Sequence, residues 1–304
     1  MRPFLLVVVL ISFIFQVTAQ DLNSLMLNDK SSTTNEDYSL FQKKKKILLI
    51  SEASLYSFSL LALNQLWYAD YPRSSFHFIN DNNEWLQMDK LGHISASYYS
   101  GVAGIQAYRW AGFTRKQSIW YGGMTGSLFL TIVEILDGTS KEWGASVGDL
   151  FANTTGSFLA IGQALSWDEQ RIQLKYSYAT TKWALQNPSQ LGSNFLERAL
   201  KDYNGQTYWL TFNIRSLFNI QENYFPKWIS LAFGYGGSSM IKPSPTTEDN
   251  RYRQYYFSFD IDLNKINTNN SVFNSILHAI GFLKFPFPTL EFSNGNLFFH
   301  PIYY

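Results

Sequence analysis

Residues 255–263 read Tyr-Tyr-Phe-Ser-Phe-Asp-Ile-Asp-Leu. Tyr255, Phe257, Phe259, Ile261 and Leu263 alternate with Ser258, Asp260 and Asp262, a period of two. Successive side chains of a strand point to opposite faces, so this run predicts a half-buried antiparallel strand. The same period recurs upstream. Ile172, Leu174, Tyr176 and Tyr178 alternate with Gln173, Lys175 and Ser177. Tyr208, Leu210, Phe212 and Ile214 form a second set, and Ile229, Leu231, Phe233 and Tyr235 a third. Val272–Ile280 returns to helical spacing. Pro286 and Pro288 then break the chain before a short strand at Leu290–Phe292. At most six strands are predicted, fewer than the eight of the smallest usual outer-membrane barrel.

Before residue 170 the period is helical. Four proline-free segments of about 20 residues stand out: Ile47–Tyr68, Leu91–Phe113, Gln117–Leu136 and Ala145–Leu165. Gly122 and Gly126 lie four apart, and Gly148, Gly156 and Gly162 share the last segment. Small residues at such spacing allow helices to approach closely. The predicted fold class is therefore α+β: a membrane-like, small-residue-rich four-helix bundle, then a small antiparallel sheet with one amphipathic helix. The predicted organisation is a signal peptide at 1–19, a flexible lead-in at 20–42, a helical bundle with a polar seam at 43–168 and a strand-rich domain at 169–304. The signal rests on Arg2, the apolar run Phe4–Phe15 and the small-residue site Val17-Thr18-Ala19.

Composition narrows the function. The 304 residues include 25 Phe, 19 Tyr and 9 Trp, while charged residues are 15%, against about 25% in an average soluble domain. Many aromatics and few charges exclude disorder over most of the chain. A net charge of +1 gives no electrostatic drive toward nucleic acid. The absence of cysteine excludes a disulfide framework, a thiolate zinc site, a cysteine nucleophile and a lipidated N-terminal cysteine. This profile suits the cell envelope, with a membrane or outer-membrane surface as partner. If four helices spanned an inner membrane after signal cleavage, Arg109, Arg115, Lys116 and Lys43–Lys46 would face outward, against the positive-inside rule. A periplasmic or outer-membrane-associated location is expected, with an inner-membrane polytopic arrangement as the alternative.

The candidate site consists of polar residues within apolar helices. Asp89 and His93 are four apart, so they share a helix face, with Lys90 beside them. Glu134 and Asp137 end the third helix, with Lys141 just beyond. Asp149 and Asn153 are four apart in the fourth. Buried charges must pair, so these stripes are expected to face one another. Three readings stay open: a network fixing helix register, a pocket in which a carboxylate–imidazole pair does acid–base work, or a metal site of one histidine and several carboxylates. No cofactor is expected. Gly234-Tyr235-Gly236-Gly237 lacks the context of a phosphate loop, and no nucleophile elbow occurs.

These motifs resemble a known family. Asp89-Lys90-Leu91-Gly92-His93, then Glu134, then Lys141-Glu142, then Ser146-x-x-Asp149-x-x-x-Asn153-x-x-Gly156, is similar to the YfiM-like predicted periplasmic lipoproteins, a family of unknown function. The order Asp-Lys-x-x-His, helical Glu, Asp-x-x-x-Asn is also similar to the VanZ-like membrane proteins, although Lys141 stands where those usually carry arginine. Residues 202–209, Asp-Tyr-Asn-Gly-Gln-Thr-Tyr-Trp, resemble the C-terminal extension of longer YfiM-like members. The resemblance implies an envelope protein without assigning an activity. Two functions are expected: a structural or scaffolding envelope protein, or an enzyme or lipid-binding protein acting on an amphiphilic envelope substrate.

Overall fold

The computed structural model describes residues 35–69, 71–222, 225–245 and 250–303. The expected signal peptide and the first part of the lead-in lie outside them. The chain divides into two compact units, one holding residues up to 80 and 96–166, the other 81–95 and 167 onward.

The first unit is helical. Helix α1 (Asn35–Leu63) takes in the end of the expected lead-in and continues as a π-helical turn, Asn64–Tyr68. Strand β1 (Phe78–Ile79) precedes α2 (Met88–Trp110), which enters this unit at Ala96. Thr114 then caps a new turn: its hydroxyl accepts from the Gln117 N–H while the Gln117 side chain accepts from the Thr114 N–H, a capping box. A second π-helical turn, Ser118–Gly122, leads into α3 (Thr125–Gly138). Strand β2 (Ala145–Ser146) pairs in parallel with β1, and α4 (Val147–Ser166) follows. The helices meet backbone to backbone. A Cβ at Gly104 would lie 2.2 Å from the Gly122 carbonyl oxygen, and one at Gly126 2.5 Å from that of Ser97. Only residues lacking a side chain permit that approach.

The second unit is built on a six-stranded antiparallel meander. It runs β3 (Ile172–Tyr178), β4 (Gln206–Asn213), β5 (Ile229–Ser238), β6 (Tyr252–Ile261), β7 (Phe287–Ser293) and β8 (Asn296–Tyr303), each paired with the next. Between β3 and β4 lie the short helices Trp183–Gln186 and Pro188–Leu191 and α5 (Phe195–Lys201). Between β6 and β7 lies α6 (Ser271–Ile280). The residues entering β7 return to the free edge of β3. Tyr176 N–H donates to the Phe282 carbonyl at 2.8 Å, and Lys284 N–H to the Tyr176 carbonyl at 2.9 Å. The sheet therefore curls strongly.

The expected four-helix bundle with a small sheet does not describe this molecule. Among the described residues, short helices decorate the sheet unit, π-helical turns interrupt the helical unit, and a parallel two-stranded ladder joins β1 to β2. The sheet is the frame of its unit, with strands of seven to ten residues. Helices of four residues and ladders of two are shorter than the window over which any period can be read.

On β6 and β7 the faces of this sheet are reversed, with polar residues buried and apolar residues exposed, while β3 and β4 are covered on both faces. On β6, Ser258 and Asp260 are buried, while Tyr255, Phe257 and Phe259 are 49%, 40% and 45% exposed. On β3, Gln173, Lys175 and Ser177 point inward, and on β7 Thr289, Glu291 and Ser293 do so. Inside the curl Lys175 Nζ lies 2.5 Å from Asp260 Oδ2, and Lys284 Nζ 3.7 Å from Oδ1. Trp209, Ala232 and Tyr256 pack beside them with Tyr303.

Candidate functional site

The site begins with a strained turn. Trp85, Leu86 and Gln87 have φ of 47°, 51° and 65°. Left-handed backbone costs a non-glycine residue about 1–2 kcal/mol, so three in succession persist only if the surroundings enforce them. Here they do. Trp85 N–H donates to the Pro243 carbonyl at 3.0 Å, and Tyr235 Oη to the Leu86 carbonyl at 2.7 Å. Arg253 Nη2 donates to Gln87 Oε1 at 2.8 Å, and Gln87 Nε2 to the Asn82 carbonyl at 2.7 Å. Trp85 and Leu86 enter an apolar cluster with Met88, Tyr203, Tyr208 and Met240.

The turn delivers Asp89, Lys90 and His93 in the opening turns of α2. Tyr203 Oη donates to Asp89 Oδ1 at 2.7 Å. Asp89 Oδ2 lies 3.9 Å from His93 Nε2 and 3.7 Å from Lys90 Nζ, and Lys90 Nζ is 2.7 Å from Asp81 Oδ2. The three side chains remain 13–20% exposed. Burial alone would raise the Asp89 carboxyl. The charges of His93 and Lys90 and the Tyr203 hydroxyl oppose it, and the carboxyl lies below its ordinary value. Burial, then the Asp89 charge, pushes the Tyr208 phenol far above its ordinary value, so it stays protonated and donates to Gln206 Oε1 at 3.0 Å.

Tyr203 and Tyr208 both come from residues 202–209. The rest of that stretch builds their support. Asp202, fully buried, accepts from the Asn204 N–H at 3.1 Å and from Thr181 Oγ1 at 2.5 Å. A Cβ on Gly205 would sit 2.1 Å from the Ala179 oxygen. Trp209 Nε1 donates to Ser177 Oγ at 2.9 Å. Sequence reasoning did not put Tyr203 in the site, although the resemblance had marked its neighbourhood.

The other candidates belong to the helical unit, where Glu134, Asp137, Asp149 and Asn153 are all buried. Glu134 Oε2 accepts from the Ser146 N–H at 3.0 Å, tying α3 to β2. Asp137 Oδ1 accepts from Tyr68 Oη at 2.6 Å. The Asp149 N–H donates to Ser146 Oγ at 3.2 Å, and the Asn153 carbonyl accepts from Ser97 Oγ at 2.5 Å. Ser157 Oγ meets Ser97 Oγ at 2.9 Å, linking α2 to α4. Lys141, expected as a cation for this group, is exposed. Within their own unit Asp89 and His93 are possible metal donors. His300 Nε2 lies 2.8 Å from Glu291 Oε2.

No curated protein and no solved structure matches this chain. Residues 76–163 match the model of a family described as predicted periplasmic lipoprotein (DUF2279), which takes in Asp89, His93, Glu134, Asp149 and Asn153 and places the chain in the cell envelope, on the periplasmic side.

Proposed function

We propose that this envelope protein binds an amphiphilic envelope molecule, with Asp89 and His93 contacting its polar head. The observation that carries the reading is the Asp89–His93–Tyr203 constellation on a turn of three strained residues. Strain of that size is kept where it positions a functional group. A carboxylate held ionised beside an imidazole can accept a hydrogen bond from, and so orient, a hydroxyl or ammonium of a bound head group. An apolar partner for the tail is at hand in the same unit. Tyr235, half-buried next to the site, begins the row of outward aromatics that continues through Tyr255 and Phe292. The YfiM-like and VanZ-like resemblances agree with an envelope setting. Membrane association is further supported by two helical segments long and apolar enough to cross a bilayer, Tyr38–Leu63 and Arg115–Gly138. Glu134, Asp137, Asp149 and Asn153 belong to the proposed polar seam, where Glu134 and Asp137 act as braces.

The test separates a site from a brace. His93→Gln and Asp89→Asn proteins are melted beside the wild type, and lipid extracted from each purified protein is quantified. The reading expects both variants to fold and melt cooperatively, His93→Gln within a few degrees of wild type and Asp89→Asn lower because it loses the ionised carboxyl's contribution, and both to lose the extracted lipid. Collapse of folding in both variants would return these residues to a structural network. Metal analysis of the same samples decides the metal reading: one equivalent of Mn, Fe or Zn in the wild type, absent from His93→Gln, would make the bound group a metal.

A further inference from the structure

We infer that the outward face of β5–β8 lies against the acyl chains of a lipid bilayer. The face is shared with the tail of the proposed amphiphile, but the inference does not rest on Asp89 or His93: a chain that binds nothing at Asp89 would still lay this face on a bilayer. The pairing registers align the outward side chains into rows. One row runs Tyr208, Tyr235, Tyr255, Phe292, Leu297. The next runs Leu210, Phe233, Phe257, Leu290, Phe299, and a third Phe212, Leu231, Phe259. Leu231 and Tyr235 on β5 are half-buried, and the rest of these rows from Phe233 onward is open: Phe233, Tyr255, Phe257, Phe259, Leu290, Phe292, Leu297 and Phe299 are 40–68% exposed.

Three observations select lipid as the occupant. First, the acidic residues of these strands, Asp260 and Glu291, are turned away from the face, as is Lys175 on β3; Arg253 stands at the margin of the face. Lys175, Asp260 and Glu291 are buried inside the curl at 1–7% exposure, which is the polar-in, apolar-out arrangement of sheets that face lipid. Second, polarity is graded along β6. Its outward residues run Arg253, Tyr255, Phe257, Phe259, Ile261. A basic residue, then a tyrosine, then hydrocarbon is the order of phosphate, interface and acyl chain. Third, Tyr255 to Ile261 covers roughly 20 Å of strand, more than the ~15 Å of hydrocarbon in one leaflet.

The absence of cysteine makes the test direct. Single cysteines are placed at Phe257→Cys, Leu290→Cys and, as a control on an exposed polar helix, Ser189→Cys, each in the full chain. Each carries an environment-sensitive fluorophore. The proteins are mixed with phosphatidylcholine vesicles bearing a nitroxide on the acyl chain. The inference expects the labels at 257 and 290 to lose at least half their emission and to become inaccessible to aqueous iodide, with the label at 189 unchanged. Labels at 257 and 290 that stay open to iodide and unquenched by nitroxide would overturn it, including the case in which another segment alone binds the vesicle. Protection from iodide without nitroxide quenching, together with a dimer mass, would overturn it in favour of a second copy of the chain.

Discussion

At the scale of single residues, the contact between Tyr203 and Asp89 decides how the site is held. A hydrogen bond to a charged group contributes about 1.5–3 kcal/mol. Tyr203→Phe is therefore expected to lower stability by about that amount, read as a shift in urea midpoint without a change in slope. Asp89 also sets a pH dependence. Its folded carboxyl titrates below the ordinary value, so the unfolded chain takes up that proton first as pH falls. Its contribution is complete above about pH 4 and fades below it, and Asp89→Asn should flatten that limb of a stability–pH curve. Lys284 works in the opposite sense. Burial, only partly opposed by Asp260, pushes its ammonium down to about 8. Between there and the ordinary lysine value of about 10.4 the unfolded chain holds the extra proton, so stability should rise with pH across that window. Lys284→Met should remove the rise, measured by urea titrations from pH 7 to 10. Asp89 and His93 could be read from sequence because four residues return to the same helix face. Tyr203 is 114 residues from Asp89, and no local period reaches that far.

At the scale of elements, the glycines of the helical unit are not equivalent. Gly104→Ala would drive a Cβ into the Gly122 backbone at 2.2 Å, so it should cost about 1–3 kcal/mol through overpacking. Gly162 lies inside α4 with nothing within 4 Å of its Cβ position. Gly162→Ala should leave the fold intact and raise stability by up to about 1 kcal/mol. Thermal melts of the two variants make the comparison. Long elements were legible in the sequence. The alternation at residues 255–263 marks β6, and the helical spacing of residues 272–280 marks α6. The turns at Asn64–Tyr68 and Ser118–Gly122 were not, since a π-helical turn differs from α by one backbone bond and carries no side-chain signature. The alternation also leaves one matter undetermined. A period of two defines two faces but does not say which is buried. On β6 the buried face is that of Ser258 and Asp260.

For the whole molecule, that reversal gives the composition its meaning. The aromatics are numerous because many of them cover an outer surface as well as a core. The charges are few, and several of them are enclosed: Lys175, Asp260 and Lys284 within the sheet, Glu134, Asp137 and Asp149 within the helical unit. A periplasmic protein with an apolar sheet exterior and a charged pair beside its tyrosine row is suited to hold an amphiphile by both ends. Native mass spectrometry of the protein released from envelopes tests this most directly, comparing wild type with His93→Gln. The account predicts a wild-type peak carrying the added mass of one lipid-like molecule, and a folded His93→Gln protein at its bare mass. A wild type at bare mass, or a His93→Gln protein retaining the same adduct in full, would contradict it.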